Sequence, residues 1–116
     1  MKREYSDSLR DMLENAQRAI QFTNGMDYKS FAKDDKTVYA VIRAVEIIGE
    51  AAANIPGEVR SKYPNVPWRE VRGMRNKLVH HYFGINVEVV WQTIHEDLPM
   101  LIEVLQSIPT DNKDNQ

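Results

Sequence analysis

An arginine, a histidine and a tyrosine stand in the order R-x4-H-x-Y at Arg75, His80 and Tyr82, within Arg75-Asn76-Lys77-Leu78-Val79-His80-His81-Tyr82. Arginine grips a phosphate bidentately and never loses its charge, and histidine moves protons near neutral pH. Together they point to chemistry on a phosphodiester. Cutting RNA without a metal requires three acts: deprotonating the ribose 2′-OH, protonating the leaving 5′-oxygen, and neutralising the charge that grows on the phosphate. His80 suits either proton transfer, Arg75 suits the third task, and Asn76 can orient His80 or hold a phosphate oxygen.

One copy of the motif is short of a second acid–base group. Five positions on a regular helix also place Arg75 and His80 about 140° apart around the axis. A two-fold homodimer would address both problems by presenting a second Arg75 and His80 across a basic cleft. No metal or cofactor is expected. Adjacent His80 and His81 diverge on a helix, no His-x3-His occurs, and there is no glycine-rich phosphate loop or nucleophile elbow. His81 turns toward the core side in this reading, and His95, beside Glu96 and Asp97, reads as an exposed surface residue.

The charge distribution supports an anionic ligand. The 116-residue chain has a net charge of −2, which argues against general nucleic-acid binding. Between Arg60 and Tyr82, however, six basic residues (Arg60, Lys62, Arg69, Arg72, Arg75, Lys77) face one acid, Glu70, so this segment carries +5 and the remainder −7. A local basic face on an acidic body attracts a phosphate backbone at one place only. Arg69, Arg72, Lys77 and Asn76 are therefore candidate RNA-binding residues.

The elements that must position these residues read as helices. Tyr5, Leu9, Met12, Leu13, Ala16 and Ile20 fall at three- and four-residue spacing, predicting a first helix over about 4–24. A short turn near Tyr28–Ala32 comes next. A second long helix starts at Asp34 or Asp35 and ends at Pro56-Gly57, with Val38, Val41, Ile42, Val45, Ile48, Ala52 and Ile55 as its stripe. Its small-residue stretch, Gly49-Glu50-Ala51-Ala52-Ala53, predicts close approach of another helix. A brief turn is expected over 57–62, and a third helix from Pro67 to Tyr82 or Phe83, closed by Gly84. On it, Val71, Met74, Leu78 and Ile85 share the core side, while Arg69, Arg72, Asn76, His80 and Phe83 form the far stripe. Gly73 and Asn76 are poor helix residues, which suggests a used surface and a close backbone approach at Gly73. Asn86 caps a fourth helix that crosses Pro99 with a kink, not a break. The fold expected is all-α, an up-and-down four-helix bundle with short extra helical turns: one domain over 1–109 and a polar tail over 110–116.

No cysteine is present, which excludes disulfides and thiolate metal sites. Met1-Lys2-Arg3-Glu4-Tyr5 lacks an apolar signal core and no run approaches ~20 apolar residues, so a cytoplasmic protein without membrane contact is expected.

The chain resembles the HEPN superfamily, whose mark is an arginine, often followed by a polar residue, with a histidine four to six positions later. Arg75-Asn76-x3-His80 fits, and Arg75-x4-His80-x-Tyr82 is similar to the HepT-like toxins in particular. Val45-Glu46-Ile47-Ile48-Gly49-Glu50-Ala51-Ala52, Pro67-Trp68-Arg69-Glu70-Val71-Arg72-Gly73-Met74-Arg75-Asn76 and Tyr82-Phe83-Gly84 extend the likeness over nearly the whole chain. The resemblance implies a HEPN-like helical-bundle dimer acting as a metal-independent endoribonuclease, the toxin of a type VII-like toxin–antitoxin pair. It further implies neutralisation by a minimal nucleotidyltransferase antitoxin, which uses ATP to place AMP on Tyr82. The competing expectation is a non-catalytic dimeric helical partner that regulates a nucleotidyltransferase, with the basic face as its docking surface.

Overall fold

Helix α1 (Tyr5–Phe22) buries Leu9, Met12, Ala16 and Ala19, the stripe that its sequence period lays along one face. A computed structural model describes residues 5–80 and 84–109, without the His80 side chain. The first residues of the expected helix, the segment 81–83 and the tail 110–116 lie outside the described residues. The short helix α2 (Tyr28–Ala32) is capped by Asp27, whose carboxylate accepts the Ser30 N–H at 2.8 Å.

Helix α3 (Asp35–Ala53) is the centre of the bundle. Asp34 starts it by accepting from the Thr37 N–H at 3.1 Å and the Thr37 hydroxyl at 2.7 Å. Helices α5 (Trp68–Arg72) and α6 (Met74–Leu78) pack against it together with α1, and Val38, Val41, Val45, Ile48 and Ala52 are fully or almost fully enclosed. Between α3 and α5 lies α4 (Gly57–Lys62). Trp68 ties it to α5, its indole N–H donating to the carbonyls of Tyr63 at 3.0 Å and Arg60 at 3.2 Å.

The expected third helix is not one helix. It is α5 and α6, joined at Gly73, whose φ of −98° and ψ of 4° leave the helical region. Nor does it reach Tyr82. At Val79 the backbone turns extended (φ −127°, ψ 126°), and strands β1 (Val79–His80) and β2 (Gly84–Ile85) pair antiparallel, His80 opposite Gly84. The helical expectation failed for two reasons. β-Branched Val79 prefers the pleated geometry, and the Asn86 N–H donates at 2.8 Å to the Leu78 carbonyl, which the end of α6 leaves without a helical partner. Gly84 does not close a helix; its φ of +80° belongs to the hairpin.

Asn86 caps α7 (Val87–Gln92) by accepting the Val89 N–H at 3.2 Å. The helix then widens into a π-helical segment, Thr93–Asp97, and continues as α8 (Leu98–Gln106). Pro99 has no N–H and its ring crowds the turn before it; a wider turn at that place accommodates both. Dihedral angles at Thr93, Asp97 and Leu98 stay helical, so the helix crosses Pro99 unbroken and Val90, Ile94, Leu98, Leu101 and Leu105 remain one buried row. The architecture is an all-α helical bundle with a two-residue ladder on one end. Among the described residues no helix is long and apolar enough to cross a membrane.

Candidate functional site

The two short helices present the basic residues outward because their apolar residues point in. Val71, Met74 and Leu78 are buried, as their spacing predicts, while Arg69, Arg72, Asn76 and Lys77 are exposed. Ile85 is only half-buried and sits on β2, not on the helix. The expected far stripe is likewise shortened to Arg69, Arg72 and Asn76. His80 stands on a strand instead, and Phe83 lies outside the described residues.

Arg75 is held from behind. Its Nε donates to Oε2 of Glu46 on α3 at 3.2 Å, with the two side chains 41 % and 30 % exposed. The other oxygen of Glu46 accepts from Nη1 of Arg43 at 3.3 Å, and the same Nη1 lies 3.9 Å from Glu50. One carboxylate thus bridges two guanidinium groups. Because the pair uses Nε, both terminal nitrogens of Arg75 stay without a hydrogen bond among the described residues, as a fork for an anion requires. Glu46 is the residue that sequence reasoning missed. Its i, i+3 pairing with Arg43 on an otherwise apolar stretch was the available signal.

The close helix approach expected from the small-residue stretch is real, and it occurs at Gly49. A Cβ there would stand 3.4 Å from the Arg72 carbonyl oxygen and 3.5 Å from that of Val71. At Gly73 the nearest neighbour would be the Arg69 carbonyl at 3.6 Å, within its own segment, so Gly73 serves as a joint and not as the contact point. Beside Gly49 a cleft of about 350 Å³ runs between Ala53 and the exposed Arg69 and Arg72. On the other side of the Arg75–Glu46 pair, a groove of about 520 Å³ separates Tyr39, Arg43 and Glu46 of α3 from Val79, Gly84 and Ile85 of the hairpin. A third hollow of about 320 Å³, between α5–α6 and α8, is walled by Val71, Met74, Leu101 and Val104; the candidate RNA-binding residue Lys77 lines it, apart from the groove and the cleft, and Arg75 does not.

The backbone of His80 forms one strand of the hairpin that walls the larger groove. The 140° separation expected on a regular helix therefore does not apply, since the chain leaves the helix between Arg75 and His80. The His80 side chain, His81 and the candidate modification residue Tyr82 lie outside the described residues. His95 is exposed as expected, its ring 4.1 Å from that of Trp91 and its Nδ1 2.9 Å from the Trp91 carbonyl. Among the described residues no three His, Asp or Glu side chains gather at metal-holding distance. The carboxyls held below their ordinary range are the helix caps. Asp34 is lowered chiefly by the Thr37 hydroxyl, and Asp27 by the Ser30 N–H.

Comparison with known proteins agrees with the motif. The family model described as "Ribonuclease HepT-like" matches residues 12–108. "Probable ribonuclease HepT" of Thermococcus cleftensis is 48 % identical over 101 residues, covering 87 % of this chain and 92 % of that protein. "Putative RNase MJ0127" of Methanocaldococcus jannaschii is 44 % identical over 110 residues, covering 95 % and 91 %. In "Gamma-glutamylcyclotransferase and putative RNase MJ0434" of the same organism, the match is 34 % identical and spans all of this chain but 54 % of that protein. No solved structure matches. A family match over residues 12–108, with relatives 48 % and 44 % identical over most of both lengths, settles the assignment: the chain belongs to the HepT-like ribonuclease family.

Proposed function

We propose that this chain is a metal-independent endoribonuclease in which Arg75 and His80 act on the scissile phosphodiester of RNA. The observation that carries the reading is Arg75, held through its Nε by Glu46 with its terminal nitrogens unbonded among the described residues, beside a groove whose far wall is the strand bearing His80. The attacking 2′-OH loses a proton to one imidazole, the leaving 5′-oxygen receives one from another, and Arg75 neutralises the charge on the phosphate between them. Two imidazoles require two copies, so the working form is a homodimer with a shared cleft. Asn76, Arg72, Arg69 and Lys77 hold neighbouring phosphates, consistent with their exposure on the two short helices.

RNA incubated with the purified protein in EDTA is the direct test. Wild type should cleave, with His80→Ala and Arg75→Ala each slower by at least ~100-fold. Equal cleavage by all three removes these residues from the mechanism.

The regulatory part of the reading rests on the family resemblance. The chain is the toxin of a type VII-like pair, and a minimal nucleotidyltransferase antitoxin silences it by joining the Tyr82 oxygen to the α-phosphorus of ATP, releasing pyrophosphate. An adenylate there adds negative charge to the R-x4-H-x-Y motif and repels RNA. Mass spectrometry after mixing with the partner enzyme and ATP should show AMP-sized additions that Tyr82→Phe abolishes. An unchanged mass in the wild type refutes this step. Growth arrest on expression of the chain alone, relieved by His80→Ala, separates a toxin from a docking partner.

A further inference from the structure

Tyr39 is the most exposed aromatic ring among the described residues. Its exposure is 64 %, it makes no ring contact among those residues, and it stands at the mouth of the groove that contains Glu46 and is walled by the His80 strand. A single exposed ring is unremarkable by itself. This one has neighbours that give it a use. Four residues on, Arg43 presents a guanidinium whose side chain is 61 % exposed, on the same face of α3. Beyond Arg43 the face carries Glu46, the brace of Arg75, and then the small residues Gly49 and Ala53 that floor the cleft of Arg69 and Arg72.

From Tyr39 to Ala53 the helix rises about 21 Å. Along that length lie, in order, an aromatic face, a guanidinium, the candidate catalytic arginine, and two further arginines over a shallow floor. Such an alternation suits an extended polymer with phosphates on one side and flat rings on the other. A duplex would not use the aromatic end, because its bases are stacked on each other and only an unpaired base offers a face. We infer that the substrate is single-stranded RNA and that Tyr39 is the platform on which one unpaired base stacks, an inference that rests on the ribonuclease reading for the identity of the polymer. Arg43 sits beside that base as a phosphate or ring contact.

The test measures binding, so that it is independent of cleavage. A labelled oligoribonucleotide methylated at every 2′-oxygen, single-stranded or annealed to its complement, is titrated at fixed salt against wild type, Tyr39→Ala and Tyr39→Phe. Tyr39→Ala should weaken single-strand binding roughly 5- to 150-fold, the range of one aromatic–base stack, with duplex affinity unmoved and Tyr39→Phe close to wild type. Absence of single-strand binding in the wild type, or equal affinity in Tyr39→Ala, overturns the inference. So does a parallel loss for duplex, or a loss that tracks a change in oligomeric state by sedimentation, which would make Tyr39 an interface residue. If this binding pattern holds but wild type cuts no RNA in EDTA, the ribonuclease reading fails alone and the stacking platform stands.

Discussion

Replacing Glu46 by glutamine separates positioning from stability. Two unit charges at the 3.2 Å of the Arg75–Glu46 contact attract by about 1.3 kcal/mol in water and several times more in a dry interior. Here both side chains are about a third exposed, and ordering two long side chains offsets part of the gain. The net contribution of the pair is therefore about 0–1 kcal/mol. Glu46→Gln should accordingly lower the Tm by no more than about 4 °C. The effect on RNA cleavage should be larger. With its Nε anchor weakened, Arg75 samples other rotamers, and misplacement of a catalytic group by about 1 Å costs up to ~100-fold. The assay is single-turnover cleavage in EDTA alongside a thermal melt, with Glu50→Gln as control, since Glu50 stands 3.9 Å from Arg43 and forms no ion pair with Arg75. A variant that melts normally and cleaves 10- to 100-fold more slowly supports the brace. Unchanged cleavage refutes it, and a Tm loss well beyond 4 °C shows that the pair holds the fold and not the site.

Gly49→Leu should destabilise by about 1–3 kcal/mol in chemical denaturation, because a Cβ there stands 3.4 Å from the Arg72 carbonyl and 3.5 Å from that of Val71, so a larger side chain pushes α5 away from α3. Gly49→Ala should stay within about 1 kcal/mol of wild type, the gain in helix propensity offsetting a tight contact. Leu78→Ala, at a fully buried position beneath the motif, should cost about 2–5 kcal/mol, and a loss under ~1 kcal/mol would contradict its place in the core. The Asp34 carboxylate is held below its ordinary range by Thr37, so its contribution is present above the unfolded carboxylate pKa and is lost as pH falls through the lower folded value. Wild type should therefore lose more stability than Asp34→Asn on acidification below about pH 5, and parallel acid titrations of the two melts would refute the cap.

The local features of this chain were legible because their causes are local. Asp34 and Asn86 cap helices through the N–H three residues ahead, and both starts were predictable from residue type. The three- and four-residue period placed Val71, Met74 and Leu78 inside and Arg69, Arg72 and Asn76 outside, and this holds although the helix is broken between them. The motif itself, and with it the family, is a matter of residue identity and spacing.

What the sequence could not determine involves partners distant along the chain. Residues Glu46 and Arg75 are 29 positions apart, and no periodicity announces that a carboxylate on one helix will brace an arginine on another. The Arg72 carbonyl seats against Gly49 only once α3 and α5 have packed. The same holds for the end of the motif helix. Helical period alone would carry it to Tyr82, but the Leu78 carbonyl finds the N–H of Asn86, eight residues on, and the chain turns into a hairpin. Helical signals act over a turn or two, whereas hydrogen bonds closed by packing choose where such signals stop. The identity of the candidate catalytic groups thus came from the sequence, and the groove beside them came from the fold.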